Sequence, residues 1–138
     1  MMIESDVLYA YIKRDDWLKK HAVRLISRIE RGDFQTVYAS REVLHELYYV
    51  SMDEGIGVDA FLNRVAAVTA IKNLLYLDTT YEIDLLALAL MEQYALTSIF
   101  DAYYAATAAN QVDDHTIIST DSVFDRIPAI RRIDPRTA

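Results

Sequence analysis

The chain has 138 residues, 53% of them hydrophobic, with only three glycines and two prolines. This length and composition exclude a disordered protein and predict a single domain over residues 1–138. The absence of cysteine excludes disulfides, thiolate zinc sites and a cysteine nucleophile. A net charge of −7 argues against broad, nonspecific phosphate binding. It leaves open a nucleic-acid enzyme in which acids gathered in one pocket bind divalent cations.

Strands and helices are predicted to alternate along the chain. In chain order, we expect a strand at 1–3, helices at 7–13 and 16–31, a strand at 36–39, helices at 41–52 and 58–70, a strand at 73–77, helices at 80–94 and 98–110, a strand at 116–119, a helical turn at 121–126 and a strand at 130–133. Ser40 and Ser98 are predicted N-caps, and Thr79 with Glu82 fits a capping box.

The predicted strands are short apolar runs and lack the alternation of a half-exposed sheet. This pattern predicts a single-domain three-layer α/β/α sandwich with a short, mainly parallel central sheet. In the second helix, the apolar residues that we expect in the core are Trp17, Val23, Leu25, Ile26 and Ile29.

No membrane segment is expected. The most apolar stretch, residues 85–100, contains Glu92 and Gln93 and is short for a bilayer span. The apolar start of the chain is interrupted at once by acids, unlike a signal peptide. We therefore expect a soluble, cytoplasmic protein.

Acidic residues stand where strands and helices meet. Glu4 and Asp6 follow the first strand, Asp121 follows the fourth, Glu46 lies in the helix after the second strand and Asp101 lies in the first turn of the helix from 98. Taken singly, each fits an ordinary role as a cap or a solvated acid. In an open parallel sheet, however, ligands bind beyond the carboxyl ends of the strands.

Two features favour a joint role for these acids. Asp101 shares a helix face with Ala105 and Ala108, small residues that suit close packing against a sheet, and Glu46 borders the apolar stripe of its own helix. Buried carboxylates need a partner, and the nearby sequence offers no matching set of lysines or arginines. A hard cation such as Mg²⁺ or Mn²⁺ would satisfy them with oxygen ligands.

Four stretches carry a resemblance to a known family: IESDVLYAYI, SREVLHELYYV, SIFDAYYAATAAN and IISTDSVFDRIPAIRRIDP. In their order and content the chain resembles the PIN domain family, and within it the small VapC-like ribonucleases of toxin–antitoxin systems. The resemblance spans nearly the whole chain. Its most specific part is the pair of final stretches.

The resemblance implies which acids form the site. The family pattern of a strand followed by D-[ST]-x-V falls on Glu4, so Glu4 is the first acid, one methylene longer than the usual Asp. The other three metal-binding and catalytic acids fall on Glu46, Asp101 and Asp121. The implied accessory residues are Asp6, Ser119 and Asp125.

The resemblance also implies a function. It is the hydrolysis of RNA phosphodiester bonds with Mg²⁺ or Mn²⁺ held by the carboxylates, and without a protein nucleophile. The implied partners are the RNA substrate, a cognate antitoxin protein and a second copy of the chain in a homodimer. Two alternatives stay open: a PIN-like module that binds RNA or a partner with little or no cleavage, and a phosphatase with an aspartyl nucleophile, which Glu4-Ser5-Asp6 fits poorly.

The remaining candidates have ordinary explanations. His21, His45 and His115 are far apart and are expected at the surface. The basic stretches at 13–20 and 126–136 are either solvated surface or flanks that guide phosphates towards the acids. No nucleotide-binding loop or serine-hydrolase motif is present.

Overall fold

A computed structural model describes all residues, 1–138. The strands are β1 (Met2–Ile3), β2 (Val37–Ser40), β3 (Leu74–Leu77), β4 (Thr116–Ile118) and β5 (Arg131–Ile133). The helices are α1 (Ser5–Ile12), α2 (Lys19–Glu30), α3 (Glu42–Asp53), α4 (Val58–Thr69), α5 (Tyr81–Tyr94) and α6 (Ile99–Gln111), and a 3₁₀ helix covers Ser122–Arg126.

The five strands form one sheet in the order β3-β2-β1-β4-β5, and all four neighbouring pairs are parallel. The predicted α/β sandwich with a short parallel sheet is therefore confirmed. The chain builds the sheet outwards from β1 to β3 and then returns to add β4 and β5 on the other side. The strand order thus reverses between β1 and β4, which is where such folds place their ligands.

The register of the two central strands positions the first acid. Ile3 lies opposite Ile118, and the Glu4 amide donates to the Ile118 carbonyl at 3.1 Å. Glu4 and Ser119 therefore emerge side by side at the carboxyl ends of β1 and β4.

Helix α6 lies close to the sheet because its inner face is made of small residues. Ala102, Ala105, Ala106 and Ala108 are fully buried, and the helix contacts β2, β4, α3 and α5. Such close packing brings the first turn of α6, with Asp101, to the edge of the sheet where the strands end.

The predicted core of α2 is partly wrong. Leu25, Ile26 and Ile29 are buried as expected, but Trp17 is 68% exposed and Val23 is 45% exposed. The helix begins only at Lys19, so Trp17 lies before it. Val23 is off the buried face, which repeats at helical spacing from Ala22 to Ile29.

The predicted helix starts are confirmed in one case and shifted in two. Ser98 caps α6 by accepting a hydrogen bond from the Asp101 amide at 3.4 Å. The cap of α5 is Thr80, which accepts from the Ile83 amide at 3.3 Å, whereas Thr79 donates to Glu42 instead. Ser40 accepts from the Glu42 amide at 3.1 Å, one residue further from the helix than predicted.

No single helix has the length and apolar character needed to cross a membrane. Helices α5 and α6 have sufficient length and apolar character only when taken together, and the two helices are bent by 111° relative to each other.

Candidate active site

Five carboxylates surround the carboxyl ends of β1 and β4, and we call them the cleft acids: Glu4, Asp6, Glu46, Asp101 and Asp121. Glu4 follows β1 and is buried, Asp6 lies in the first turn of α1, and Glu46 is half-buried on α3. Asp101 is half-buried at the start of α6, and Asp121 is exposed at the start of the 3₁₀ helix. Four separate segments of the chain thus place like charges at one end of the sheet.

A serine joins the first two acids of the family pattern. The Ser5 hydroxyl contacts Glu4 Oε1 and Glu46 Oε1, and Glu46 Oε1 also accepts a hydrogen bond from the Tyr104 hydroxyl at 2.9 Å. Ser5 has one hydrogen to donate. When Glu4 is protonated, a continuous series of hydrogen bonds can run from Glu4 through the Ser5 hydroxyl to Glu46.

Glu4 is the most enclosed of the cleft acids, with 5% of its surface exposed. Burial, followed by the neighbouring charges of Asp6 and Glu46, raises its pKa well above the ordinary value. Hydrogen bonds act in the other direction: Ser119 donates to Glu4 Oε2 at 2.9 Å, and Ser5 contacts Oε1. The side-chain hydrogen-bond partners of Glu4 are both serines, so no cation is paired with its carboxylate.

Asp101 lacks any partner for its carboxylate within the protein. Burial, and then the charges of Asp121, Glu46 and Asp6, raise the pKa of Asp101 to about 6. The carboxyl is held near other acids with neither a hydrogen bond nor a cation to stabilise its ionised form. A perturbed acid in a cleft is a feature of functional sites.

Asp6 is held by one of its two oxygens. Oδ2 accepts hydrogen bonds from the Thr120 amide at 2.7 Å and the Thr120 hydroxyl at 2.6 Å. Oδ1 is buried and has no hydrogen-bond partner. A buried carboxylate oxygen without a partner is costly, so Asp6 Oδ1 would gain from a cation or a donor that reached it.

Asp121 and Ser119 are linked at the end of β4. Ser119 Oγ accepts from the Asp121 amide at 3.0 Å while donating to Glu4, so one hydroxyl orders both residues. Asp121 Oδ1 accepts from the Val123 amide at 2.9 Å and caps the 3₁₀ helix. The capping role foreseen from the sequence is present, and the charge of Asp121 still reaches Asp101.

Asp125 lies apart from the cleft acids in its interactions. Its two oxygens accept hydrogen bonds from Arg132 Nε and Nη2 at 3.0 Å each, and this guanidinium lowers the pKa of Asp125. Arg132 also donates to the Ser119 carbonyl at 3.1 Å. Asp125 therefore already has a cationic partner in the protein.

Three contributors to the site were missed from the sequence: Ser5, Thr120 and Tyr104. Ser5 lies within the Glu4-Ser5-Asp6-Val7 motif, and Thr120 follows the predicted strand. Their positions alone could therefore have indicated both as site residues. Nothing in the sequence distinguishes the hydroxyl of Tyr104 from those of the nine other tyrosines. Burial and the charges of Glu46 and Glu4 raise the pKa of Tyr104, so its hydroxyl stays protonated and donates.

The oxygen atoms that the cleft offers as ligands suit a hard divalent cation. All are carboxylate or hydroxyl oxygens, the preferred ligands of Mg²⁺ and Mn²⁺, and Asp6 Oδ1 lacks a partner. As they stand, no three of the acids are close enough together to enclose one ion. Mg²⁺ usually keeps several of its waters and binds through one or two carboxylates, so these acids could hold an ion without all of them enclosing it.

The histidines take no part in this arrangement. His45 and His115 are exposed, and His45 pairs with Glu42 at 2.8 Å on a different face of α3 from Glu46. In the first basic stretch, Lys19 donates to the carbonyls of Tyr11 and Lys13 and so stabilises the end of α1.

Comparison with known proteins identifies the family. The PIN domain model matches residues 1–130 of this chain, and the chain belongs to the PIN domain family. No curated protein sequence matches it significantly.

Solved structures of similar fold are toxin–antitoxin proteins. VapC20 from Mycobacterium tuberculosis, described as a toxin that cleaves the sarcin–ricin loop, has a TM-score of 0.73 at 17% identity and covers 92% of this chain and 94% of its own. VapBC2 from Rickettsia felis, bound to a DNA fragment from its promoter, has a TM-score of 0.70 at 17% identity over 96% of each chain. A toxin–antitoxin complex from Klebsiella pneumoniae has a TM-score of 0.66 at 15% identity, covering 97% of this chain and 96% of that one. At these identities the likeness establishes the fold.

Proposed function

We propose that this protein is a metal-dependent endoribonuclease that hydrolyses RNA phosphodiester bonds, and that it is the toxin of a VapBC-type toxin–antitoxin pair. The observation that carries the proposal is the set of cleft acids at the switch point of a PIN fold, with Asp101 unpartnered and its pKa raised to about 6. Acids that destabilise one another in the metal-free protein are suited to binding a cation.

Glu4, Glu46, Asp101 and Asp121 would hold Mg²⁺ or Mn²⁺. When bound, the ion supplies an activated water and offsets the charge on the scissile phosphate and the leaving 3′ oxygen. The products would carry a 5′-phosphate and a 3′-hydroxyl.

The protein's own groups prepare this site. Ser119 and Ser5 orient Glu4, and Thr120 fixes one oxygen of Asp6, which leaves the other directed away from that bond. With a pKa of about 6, Asp101 is mainly ionised at pH 7.5. The ionised cleft repels RNA phosphates until a cation reduces its charge.

The test is cleavage of structured and single-stranded RNA with Mn²⁺ or with EDTA, for the wild type and Asp101→Asn. We expect cleavage by the wild type with Mn²⁺, and none with EDTA or with the variant. Asp125→Asn is a matched control, because it removes an acid that is already paired with Arg132. Cleavage that survives EDTA or Asp101→Asn contradicts the metal–carboxylate mechanism.

A PIN-like module that binds RNA or a partner without cutting it is the alternative. It is favoured by one observation: both oxygens of Glu4 are already in hydrogen bonds with serines. A folded protein that binds no Mn²⁺ and cleaves no RNA in the same assay would support the alternative.

We also propose an antitoxin partner, a homodimer and a cytoplasmic location. The antitoxin is supported by two similar structures that are toxin–antitoxin assemblies. The homodimer is supported by an uncovered apolar face on α5. Tyr81, Leu85 and Leu88 are exposed there at helical spacing.

Light scattering of the isolated protein tests the dimer, and Leu85→Glu should convert a dimer to a monomer. Co-purification with the product of the neighbouring gene tests the antitoxin. A monomeric wild type would contradict the homodimer, and a neighbouring product that does not bind would contradict that pairing.

A further inference from the structure

Tyr104 is a buried tyrosine whose hydroxyl contacts one of the cleft acids, Glu46. Its side chain is among the largest of the fully buried ones. It lies on α6 three residues after Asp101, so it is on nearly the same face one turn further along the helix. Its hydroxyl donates to Glu46 Oε1 at 2.9 Å, which links α6 to α3.

The two oxygens of Glu46 differ in their surroundings. Oε1 receives both Tyr104 and Ser5, whereas Oε2 takes part in no hydrogen bond within the protein. Glu46 lines a cavity of about 210 Å³ together with Ser5 and Asp6. One oxygen is therefore held in place, and the other has no hydrogen-bond partner within the protein.

We propose that Tyr104 is a positioning residue, whose hydroxyl fixes Glu46 so that its free oxygen can bind the divalent cation. This inference rests on the proposed function and adds a residue to it. Tyr104 would not touch the ion or the RNA; it would act through Glu46.

The chemical nature of the donor matters for this role. A phenol hydroxyl is neutral, so it orients the carboxylate and leaves its negative charge for a cation. A lysine or arginine at the same place would form an ion pair and neutralise that charge. The buried ring also has few alternative positions, which keeps its hydroxyl on Glu46.

Ser5 cannot replace Tyr104 fully. Its single hydroxyl is shared between Glu4 and Glu46, so it holds Glu46 only when it does not donate to Glu4. Without Tyr104, Glu46 would gain rotational freedom that ion binding would then have to remove.

The experiment compares Tyr104→Phe with Tyr76→Phe in Mn²⁺ binding, measured from the electron paramagnetic resonance signal of free Mn²⁺ at pH 7.5. Both variants remove only a hydroxyl. Tyr76 is the matched control, because its hydroxyl donates to the Val68 carbonyl at 3.1 Å, between β3 and α4 and outside the set of cleft acids. We expect Tyr104→Phe to bind Mn²⁺ about tenfold more weakly, and Tyr76→Phe to bind as the wild type does. The Mn²⁺ concentration for half-maximal RNA cleavage should rise by the same factor in Tyr104→Phe.

Each other outcome overturns the inference. Wild-type affinity in Tyr104→Phe would show that Glu46 does not depend on the hydroxyl. Equal weakening in both variants would show a general loss of stability. A wild type that binds no Mn²⁺ would contradict the proposed function itself, and the inference with it, so the two failures are distinguishable.

Discussion

Two groups of acids in this protein have opposite surroundings. Near the C-terminus, Asp125 accepts two hydrogen bonds from Arg132, and Asp134 accepts from Arg136 Nε at 2.9 Å and Nη2 at 2.5 Å. These guanidinium groups lower the pKa of Asp125, and lower that of Asp134 to about 2. The cleft acids have no such partners, and burial together with their mutual repulsion raises the pKa of Glu4 and of Asp101.

The difference in surroundings distinguishes carboxylates that stabilise the fold from carboxylates that are suited to binding a ligand. An ionised carboxylate beside an arginine favours the folded state, whereas one beside other carboxylates opposes it. The C-terminal acids have their counter-charge within the chain. None of the cleft acids is paired with an arginine, although the Arg132 charge interacts with that of Asp121. We infer that a divalent cation supplies the missing counter-charge.

The largest expected effect comes from removing the first cleft acid. Glu4→Gln should reduce RNA cleavage at least about 100-fold, because it removes a charged ligand from the site. Asp6→Asn should reduce it about tenfold, since one Asp6 oxygen serves Thr120. Initial rates with saturating Mn²⁺ measure both. A Glu4→Gln variant as active as the wild type would remove Glu4 from the metal site.

Metal-free stability should respond in opposite directions in the two groups. Asp101→Asn should raise the free energy of unfolding at pH 7.5 by about 1 kcal/mol, after allowance for solvent screening of a partly exposed group. Asp134→Asn should lower it by up to about 1 kcal/mol, because the pair with Arg136 is lost. Urea unfolding with EDTA measures both, and changes of the same sign would contradict the comparison.

The pH dependence of these differences follows from the direction of each pKa shift. The pKa of Asp101 is about 6 in the folded protein, against 3.8 ordinarily, so the folded state binds the proton more tightly. Wild-type stability should therefore fall as the pH rises from about 4 to 6, and the advantage of Asp101→Asn should appear over that interval.

Asp134 has the opposite shift, to about 2. Its contribution should be complete above pH 4 and should be lost as the pH falls towards 2. Melting temperatures of both variants and the wild type, measured in steps from about pH 2 to 8, check the two intervals. An Asp101→Asn difference that is constant from pH 4 to 7 would contradict the raised pKa.

The smallest effect is expected at Asp125. Asp125→Asn breaks an exposed pair with Arg132 and should change the free energy of unfolding by less than about 0.5 kcal/mol. RNA cleavage should stay within about twofold of the wild type. A larger loss of cleavage would place Asp125 among the residues that act on the metal or the RNA, the accessory role that the family resemblance implies.

Much of the fold follows from local sequence signals. The apolar runs before Glu4 and before Ser119 predict strands buried on both faces, and their parallel pairing then brings their carboxyl ends together. The alanines of α6 predict a helix packed closely on the sheet, as observed for Ala105 and Ala108. These signals are enough to group the acids at one end of the molecule.

The detailed contacts of the site depend on tertiary packing that local patterns do not encode. The hydrogen bond from Tyr104 to Glu46 crosses 58 positions of sequence, and that from Thr120 to Asp6 crosses 114. The burial of Trp17 was predicted wrongly for the same reason. Its exposure depends on where α2 begins, which local patterns do not encode.

The central claim is that the cleft acids bind a divalent cation from solution. Calorimetric titration of Mn²⁺ at pH 5.5 and 7.5 tests it directly with the wild type, Asp101→Asn and Asp125→Asn. We expect the wild type and Asp125→Asn to bind equally well, and more tightly at pH 7.5, because protons must leave Glu4 and Asp101. Asp101→Asn should bind at least about tenfold more weakly. No binding by the wild type, or equal binding by Asp101→Asn, would contradict the claim.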